Sequence, residues 1–553
     1  MPALDQYNSA SIDSGNSKRV TADLNHKLGA GSALRLNVMA QDGGVAGRDR
    51  VKSERQAIAP SLALGLGSAT RIYLSSLHMR QDNVPDGGIP SVGLEGFFFN
   101  NNDPLRTAPR VDRENYYGLA GDYEKVDADM ATAKIEHDLA GGAKLTNVSR
   151  YGKSKMDRVM TGINAVNNGV TLAKPTPLPQ AEWSINRSRQ SLLQKNEILA
   201  NQTNLLTEFA TGGVKHTVSG GIEFMSEKQS TPGRAGLGTL ANRTVGVVPA
   251  NLYQPNPNDV IYNYNPQKNG AYTEGKTTTA ALYVFDTLKL SEQWQVNGGV
   301  RVEHDNTKSD LATLTNGVLV PAALEKSDTL VSWKAGALYK PADNASVYLA
   351  FANSQTPPGS SNFALSATTG NINGPAMDPQ QTRNIELGTK WDVLAKQLAL
   401  TAALYRTENT NVTSLLDSAT NTYSQLGKRR VEGLELGMVG QITRAWNKLT
   451  ATVWSSYNVD KAWTVGGGAR YTSEQKRVVD PSLAAALQNN LPGIPAYFVA
   501  DAMLSYKASK NVTVQLNLYN LFDKFYVNTL NNSGARATLG TERSAALSAS
   551  LAF

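Results

Sequence analysis

The sequence predicts an all-β fold: a transmembrane antiparallel β-barrel of about 20–22 strands with long extracellular loops. Three observations carry that expectation. Apolar and polar residues alternate with a period of two in segment after segment along the 553 residues. No apolar run approaches the ~18–20 residues a spanning helix needs, and mean hydropathy is −0.33, so any bilayer is crossed by strands. Tight Gly, Asn, Asp and Pro turns alternate with long polar connections, which belong on the rim of a barrel and not inside a compact soluble domain.

Taken in chain order, Gln6-Tyr-Asn-Ser-Ala-Ser-Ile-Asp13 reads as the first strand. The turn Leu28-Gly-Ala-Gly-Ser32 leads into Leu34, Leu36 and Val38, which share one face, while Arg35 and Asn37 share the other. Leu139-Ala-Gly-Gly142 is a second tight turn. Val300 and Val302 alternate with Arg301 and Glu303, and Pro341-Ala-Asp-Asn344 turns the chain again. Leu398, Leu400, Ala402 and Leu404 oppose Gln397, Thr401 and Tyr405. Gly466-Gly-Gly468 lies inside an alternating strand with no helix after it, so it is not a phosphate-binding loop. After the turn Lys507-Ala-Ser-Lys-Asn511, residues Val512, Val514, Leu516 and Leu518 face lipid, and Thr513, Gln515, Asn517 and Tyr519 face the lumen. Ala545, Leu547, Ala549, Leu551 and Phe553 close the chain against Ser544, Ser548 and Ser550. The long connections fall at 81–119, 158–183, 229–271, 354–380 and 471–495. Trp391, Trp446, Trp454, Tyr457, Phe522, Phe525 and Tyr526 stand near strand ends, where interface girdles form.

The composition removes several classes of function. Cysteine is absent, so disulfides, thiolate metal sites, iron–sulfur clusters and thiol nucleophiles are excluded. The five histidines lie far apart without H-x-x-x-H or H-E-x-x-H spacing, and no metal site or cofactor is expected. Lys and Arg total 54 against 47 acidic residues, a net +7 spread thinly along the chain, which argues against a nucleic-acid arm and permits a diffuse pull on anionic ligands. No G-x-S-x-G elbow occurs. Lumen-facing carboxylates such as Glu303 and Glu435 read as wall charge balanced by Arg301 or by Lys428, Arg429 and Arg430. No catalytic residue is assigned, and an enzymatic barrel is only a distant alternative.

Several segments resemble a known family. Asn520-Leu-Phe-Asp-Lys524, followed by a last strand ending at Phe553, resembles the closing strands of TonB-dependent outer-membrane receptors, and the resemblance implies that Phe553 is an assembly signal. Val431-Glu-Gly-Leu-Glu-Leu436 and Arg383-Asn-Ile-Glu-Leu-Gly-Thr-Lys-Trp391 resemble two further strands of that family. Gln81-Asp-Asn-Val-Pro-Asp-Gly-Gly-Ile-Pro90, Val111-Asp-Arg-Glu-Asn-Tyr-Tyr-Gly118, Asn201-Gln-Thr-Asn204 and Phe209-Ala-Thr-Gly-Gly213 are similar to the catecholate-type ferric-siderophore receptors. The resemblance implies a bacterial outer-membrane location, a ferric siderophore of catecholate type as ligand, contact with outer-membrane lipid and a monomeric barrel. It departs in two places. The family's N-terminal plug and the box that docks its energy-coupling protein are not found, so 1–553 is expected to be one barrel domain without a plug. At 448–472 a strand and a long loop usual in the family are missing, and the strand count comes to about twenty-one where such barrels have even numbers.

Ferric catecholate complexes are anionic and rich in aromatic rings, so cations and stacking side chains should hold them. The connection 94–117 offers both in Phe97, Phe98, Phe99, Arg106, Arg110, Arg113, Tyr116 and Tyr117. Two readings therefore stand at this level: a ferric-siderophore receptor barrel, or a passive plugless pore or structural barrel.

Overall fold

A computed structural model of the chain describes residues 7–100, 102–171, 173–239, 248–360, 363–367, 371, 373–393, 398–417, 422–440, 451–476, 489–531 and 533–552. Phe553, Trp446 and Gln6 lie outside the described residues, and with Phe553 the expected assembly signal.

The chain runs through β1 (Tyr7–Asp13), β2 (Lys18–Gly29), β3 (Ser32–Val45), β4 (Arg48–Leu64), β5 (Thr70–Asn83), β6 (Ile89–Pro90), α1 (Asp103–Arg106), β7 (Tyr123–Asp138), β8 (Lys144–Asn167) and β9 (Ser184–Thr211). It continues through β10 (Val214–Thr239), β11 (Ala250–Asn251), β12 (Tyr262–Lys289), β13 (Trp294–Thr315), β14 (Val318–Ala342), β15 (Ala345–Thr356), β16 (Gln380–Val393), β17 (Leu398–Asp417) and β18 (Thr422–Gly440). The last stretch holds β19 (Ala451–Asn458), β20 (Trp463–Thr472), β21 (Gln475–Lys476), β22 (Gly493–Ile494), β23 (Tyr497–Lys507), β24 (Val512–Tyr519), β25 (Val527–Leu530), β26 (Arg536–Leu539) and β27 (Ser544–Ala552).

Twenty-two of these strands form one antiparallel sheet, in which β11 is a two-residue rung added to the top of β9. The ends of the chain meet: β1 pairs with β2 on one side and with β27 on the other, Ala10 opposite Ala549 and Ile12 opposite Leu547. Pairing first strand to last leaves neither β1 nor β27 with the free edge that a bilayer would leave unsatisfied. The registers keep the two faces apart. Val512, Val514 and Leu516 oppose Leu551, Ala549 and Leu547 on the lipid side, while Thr513 and Gln515 oppose Ser550 and Ser548 on the lumen side. Large apolar side chains such as Leu282, Leu404 and Leu436 are more than half exposed, as a lipid-facing belt requires.

The anomaly expected at 448–472 does not fall inside that segment, where β19 and β20 pair as an ordinary hairpin, but just ahead of it, between β18 and β19. Following the antiparallel pairings both ways round from β1, β18 and β19 run in the same direction, and among the described residues no pairing joins them. Four of the five expected long connections match gaps between wall strands at one or both ends. The fifth is shorter than expected, because β10 extends to Thr239 and β12 begins at Tyr262, so much of 229–271 is a tall hairpin standing above the bilayer.

The girdle is only partly where the aromatics suggested. Trp391 and Tyr457 are exposed on the outer face, but Trp454 stands opposite Gly468 on the lumen side. Trp294 with Tyr339, ring centroids 4.7 Å apart, and Trp463 with Tyr506, 4.4 Å apart, form outward pairs at the periplasmic end.

An aromatic and cationic cleft at the extracellular mouth

The connection between β5 and β7 does not wave freely above the barrel. Its β6 pairs with β26, which pairs with β25, so a small three-stranded sheet ties residues near 90 to residues near 530. Two apolar cores consolidate the tie. Ile89, Leu105 and Tyr117 pack with Ile163 of β8 and Ile185 of β9, while Leu94 packs with Leu491, Ile494, Val527 and Ala537. At the base of the connection, the Asp122 carboxylate accepts from Leu119 N at 3.2 Å, Thr161 N at 2.8 Å, Thr161 Oγ1 at 2.8 Å and Arg189 Nη2 at 3.1 Å. Arg48 grips Asp86 with two bonds, 2.9 and 2.7 Å, and donates to the carbonyl of Arg113. Charge-assisted, paired bonds of this kind fix a loop in one geometry.

The eight expected ligand residues divide in this framework. Tyr117 is 1% exposed, donates to Leu252 O at 2.6 Å and belongs to the first core; burial pushes its hydroxyl well above the usual range. Tyr116 is buried as well, and its hydroxyl finds no partner among the described residues. Phe97 and Phe99 are half-buried and stacked, with centroids 6.5 Å apart. Phe98 is exposed, and the Arg106 guanidinium lies 5.7 Å from its ring while also reaching Asp103 at 3.1 Å. Arg113 bonds Asp523 at 3.3 Å and sits 3.7 Å from Glu542. Arg110 is different: its guanidinium carbon lies over the ring of Phe525, 3.9 Å from the centroid.

That contact opens a cleft of about 230 Å³ lined by Gly93, Leu94, Glu95, Arg110, Tyr497, Lys524, Phe525 and Tyr526 among others. Tyr497 and Tyr526 lie tilted against each other with centroids 4.5 Å apart, and Arg470 donates to Tyr526 Oη at 3.5 Å. Tyr497 and Arg470 occupy lumen-facing positions, since their neighbours Phe498 and Tyr471 pair on the outer face. Burial raises the Tyr526 hydroxyl above its ordinary pKa, so it remains a donor at neutral pH. Among the described residues, no carboxylate forms an ion pair with Arg110, Arg470 or Lys524. The cleft lining therefore presents two cations free of ion pairs, Arg110 and Lys524, and three aromatic rings beside one carboxylate, Glu95, while Arg470 reaches Tyr526 from outside the lining with Asp501 nearby. Such a surface binds an anion with π faces. No group of three or more His, Asp or Glu that could hold a metal ion occurs among the described residues.

Sequence reading found Arg110 but assigned Phe525 and Tyr526 to the girdle and passed over Tyr497 and Lys524. The available signal was the run Lys524-Phe525-Tyr526 directly after Asn520-Leu-Phe-Asp, a cation beside two rings on an extracellular connection. On the wall, Arg301 does balance Glu303, at 2.6 Å, and also Glu223, at 2.8 Å. Lys428 and Arg430 instead pair with Glu408, at 3.0 and 2.8 Å, leaving Glu435 without them.

Comparison with known proteins places this geometry in context. Residues 65–521 match the family model described as TonB dependent receptor-like, beta-barrel. The chain is 37% identical over 599 residues to the catecholate siderophore receptor Fiu of Escherichia coli K12, covering 99% of this chain and 76% of that protein. It is 32% identical over 597 residues to the probable TonB-dependent receptor BfrD of Bordetella pertussis, covering 98% and 76%. Among solved structures, the closed form of the E. coli ferric-catecholate import receptor Fiu superposes with a TM-score of 0.90 at 36% identity, covering 100% of this chain and 82% of that one. The siderophore receptor PiuA of Acinetobacter baumannii superposes with a TM-score of 0.82 at 26% identity, covering 100% and 82%.

Proposed function

The chain belongs to the TonB-dependent receptors, as a β-barrel of the bacterial outer membrane and not an enzyme, and on that premise we propose that its cleft at the extracellular mouth captures a ferric siderophore of catecholate type. The observation that carries this reading is Arg110 over Phe525 at 3.9 Å beside the Tyr497–Tyr526 pair, with Lys524 and Arg470 free of carboxylate partners among the described residues. A ferric tris-catecholate complex is an anion whose surface is aromatic edges and faces, and each feature of the cleft matches one of these. The rings stack on the catechols, the guanidiniums and the ammonium offset the complex's negative charge, and the iron needs no protein ligand because the siderophore already fills its coordination sphere.

In this proposal Phe98 and Arg106 form an outer contact that meets the complex first, and Tyr116 and Tyr117 act by holding the connection in place. The barrel works as a monomer in outer-membrane lipid, and import depends on the periplasmic energy-coupling protein of the family. The passive-pore reading draws nothing from relatives that are named as receptors. The test is uptake: a receptor-deficient strain expressing the full-length protein should accumulate radiolabelled iron from a ferric catecholate, and collapse of the proton gradient should stop it. Uptake that continues without the gradient would contradict the energised receptor and favour a pore.

A further inference from the structure

We propose that Glu95 makes the mouth cleft selective for catecholate siderophores whose linker carries a protonated amine, the carboxylate taking the amine while Arg110 and Lys524 take the catecholates. The inference rests on the reading of this cleft as a ferric-catecholate site and adds the class of siderophore it prefers. The cleft holds charges of both signs that do not neutralise one another. Glu95 lines it together with Arg110 and Lys524, is exposed, and forms no ion pair among the described residues.

The local backbone holds the three charged residues in place. Residues 91–94 and 94–97 form two successive turns, closed by Leu94 N donating to Ser91 O at 3.1 Å and Phe97 N donating to Leu94 O at 3.0 Å. Gly93 (φ 74°) and Gly96 (φ 83°) take the third positions, where left-handed backbone is needed. Leu94, between the turns, is buried against Leu491 and Val527, so Glu95 stands at the corner of the second turn on an anchored backbone. Gly93 lies against the backbone of Arg110, since a Cβ there would come 2.4 Å from Arg110 N, and this contact sets the spacing between the carboxylate and the guanidinium. The guanidinium itself is engaged over the Phe525 ring. Lys524 is pinned at both ends of its backbone: its N donates to Asn520 Oδ1 at 2.7 Å, and its O accepts from Asn520 Nδ2 at 2.8 Å.

For a ligand of one sign this arrangement is unfavourable. A carboxylate beside two cations repels a purely anionic complex and weakens the potential that draws it in. A ligand that carries a cation within reach of its catecholates turns the same carboxylate into a contact. A linker built on a basic amino acid does so: its ammonium is set off from the ring by a flexible chain and donates up to three N–H bonds, which Arg110 and Lys524, having only donors, cannot accept. A linker of amides and esters alone brings no charge to meet Glu95.

The experiment titrates the detergent-solubilised full-length receptor with two ferric complexes that differ in one charge, that of dihydroxybenzoyl-lysine and that of its Nε-acetylated counterpart, and follows intrinsic fluorescence. The wild-type protein should bind the amine-bearing complex about fivefold more tightly, the order of one part-exposed ion pair. Glu95→Gln should remove that preference by weakening the amine-bearing complex alone, and Glu95→Lys should reverse it, with heat-modifiable gel migration unchanged in both. Equal affinity of the wild type for the two complexes, a preference that survives Glu95→Gln, or equal tightening of both complexes in Glu95→Gln would each overturn the role of Glu95 and leave the cleft as a catecholate site. Binding of neither complex by the wild type would overturn the catecholate reading of the cleft and this inference with it.

Discussion

Arg189 on β9 donates to Asp122, just ahead of β7, at 3.1 Å, with 1% of either side chain exposed. The same carboxylate takes Thr161 of β8, so one acidic group fastens the large extracellular connection to two wall strands. A buried pair of this kind adds little stability over an apolar substitute, yet losing one partner leaves the other charge stranded. Arg189 is further exposed to that loss because its Nε already lacks a partner among the described residues.

Asp122→Ala should therefore destabilise the crown by roughly 3–5 kcal/mol. Limited proteolysis should show new cleavage within 84–122 while the barrel still migrates as a folded band. The double replacement Asp122→Leu, Arg189→Met should recover much of the protection, because it removes both charges. Cleavage equal to wild type in Asp122→Ala would show that the pair does not anchor the connection.

Asp523 gives a pH dependence of known sign. Its carboxylate accepts from Arg543 N at 2.9 Å and faces Arg113, and these donors hold its pKa below the ordinary value. A depressed folded pKa means that its contribution is present above the unfolded value, near about 3.9, and is lost as pH falls through the lower folded value. The 520–543 connection should then resist protease down to about pH 4 and open only below it. Asp523→Asn should loosen the connection at neutral pH and flatten the acid dependence. An unaltered acid profile in that variant would move the titration to another group.

Gly540 supplies a test of shape without change of charge. A Cβ at this position would lie 1.8 Å from the Tyr526 ring, so the ring rests directly on the glycine backbone. Gly540→Val should push Tyr526 off Tyr497 and weaken ferric catecholate binding about tenfold, the order expected for losing one stacking contact and its hydrogen bond. Heat-modifiable migration should remain normal. Unchanged affinity would remove the tyrosine pair from the site.

The wall was legible because lipid on one side and water on the other impose a period of two, and a register slip would reverse every residue of Val512–Tyr519. The tall hairpin of β10 and β12 was not. Above the bilayer no apolar row is demanded, so Pro266, Asn269 and Gly270 read as loop, although they lie at two register breaks inside one long strand, β12, that keeps pairing with β10 on either side of them. The cleft was half legible. Arg110 and its neighbours announce an anion site, but the rings they meet lie some four hundred residues onward, and only closure of the barrel, first strand to last, brings the two together. Phe525 and Tyr526 looked like girdle residues because an aromatic near a strand end fits either place, and the choice depends on which way the connection folds over the mouth.

The central claim, recognition of an anionic aromatic complex by the Arg110–Phe525 cleft, is tested most directly by titrating the purified receptor with a ferric tris-catecholate and following its intrinsic tryptophan and tyrosine fluorescence. The wild-type protein should bind it and leave an uncharged ferric hydroxamate unbound. Arg110→Ala and Phe525→Ala should each weaken binding about tenfold to a hundredfold, with Arg110→Lys intermediate because it keeps the charge and loses the planar guanidinium over the ring. Equal affinity of wild type and both alanine variants, or equal binding of the neutral complex, would contradict the account.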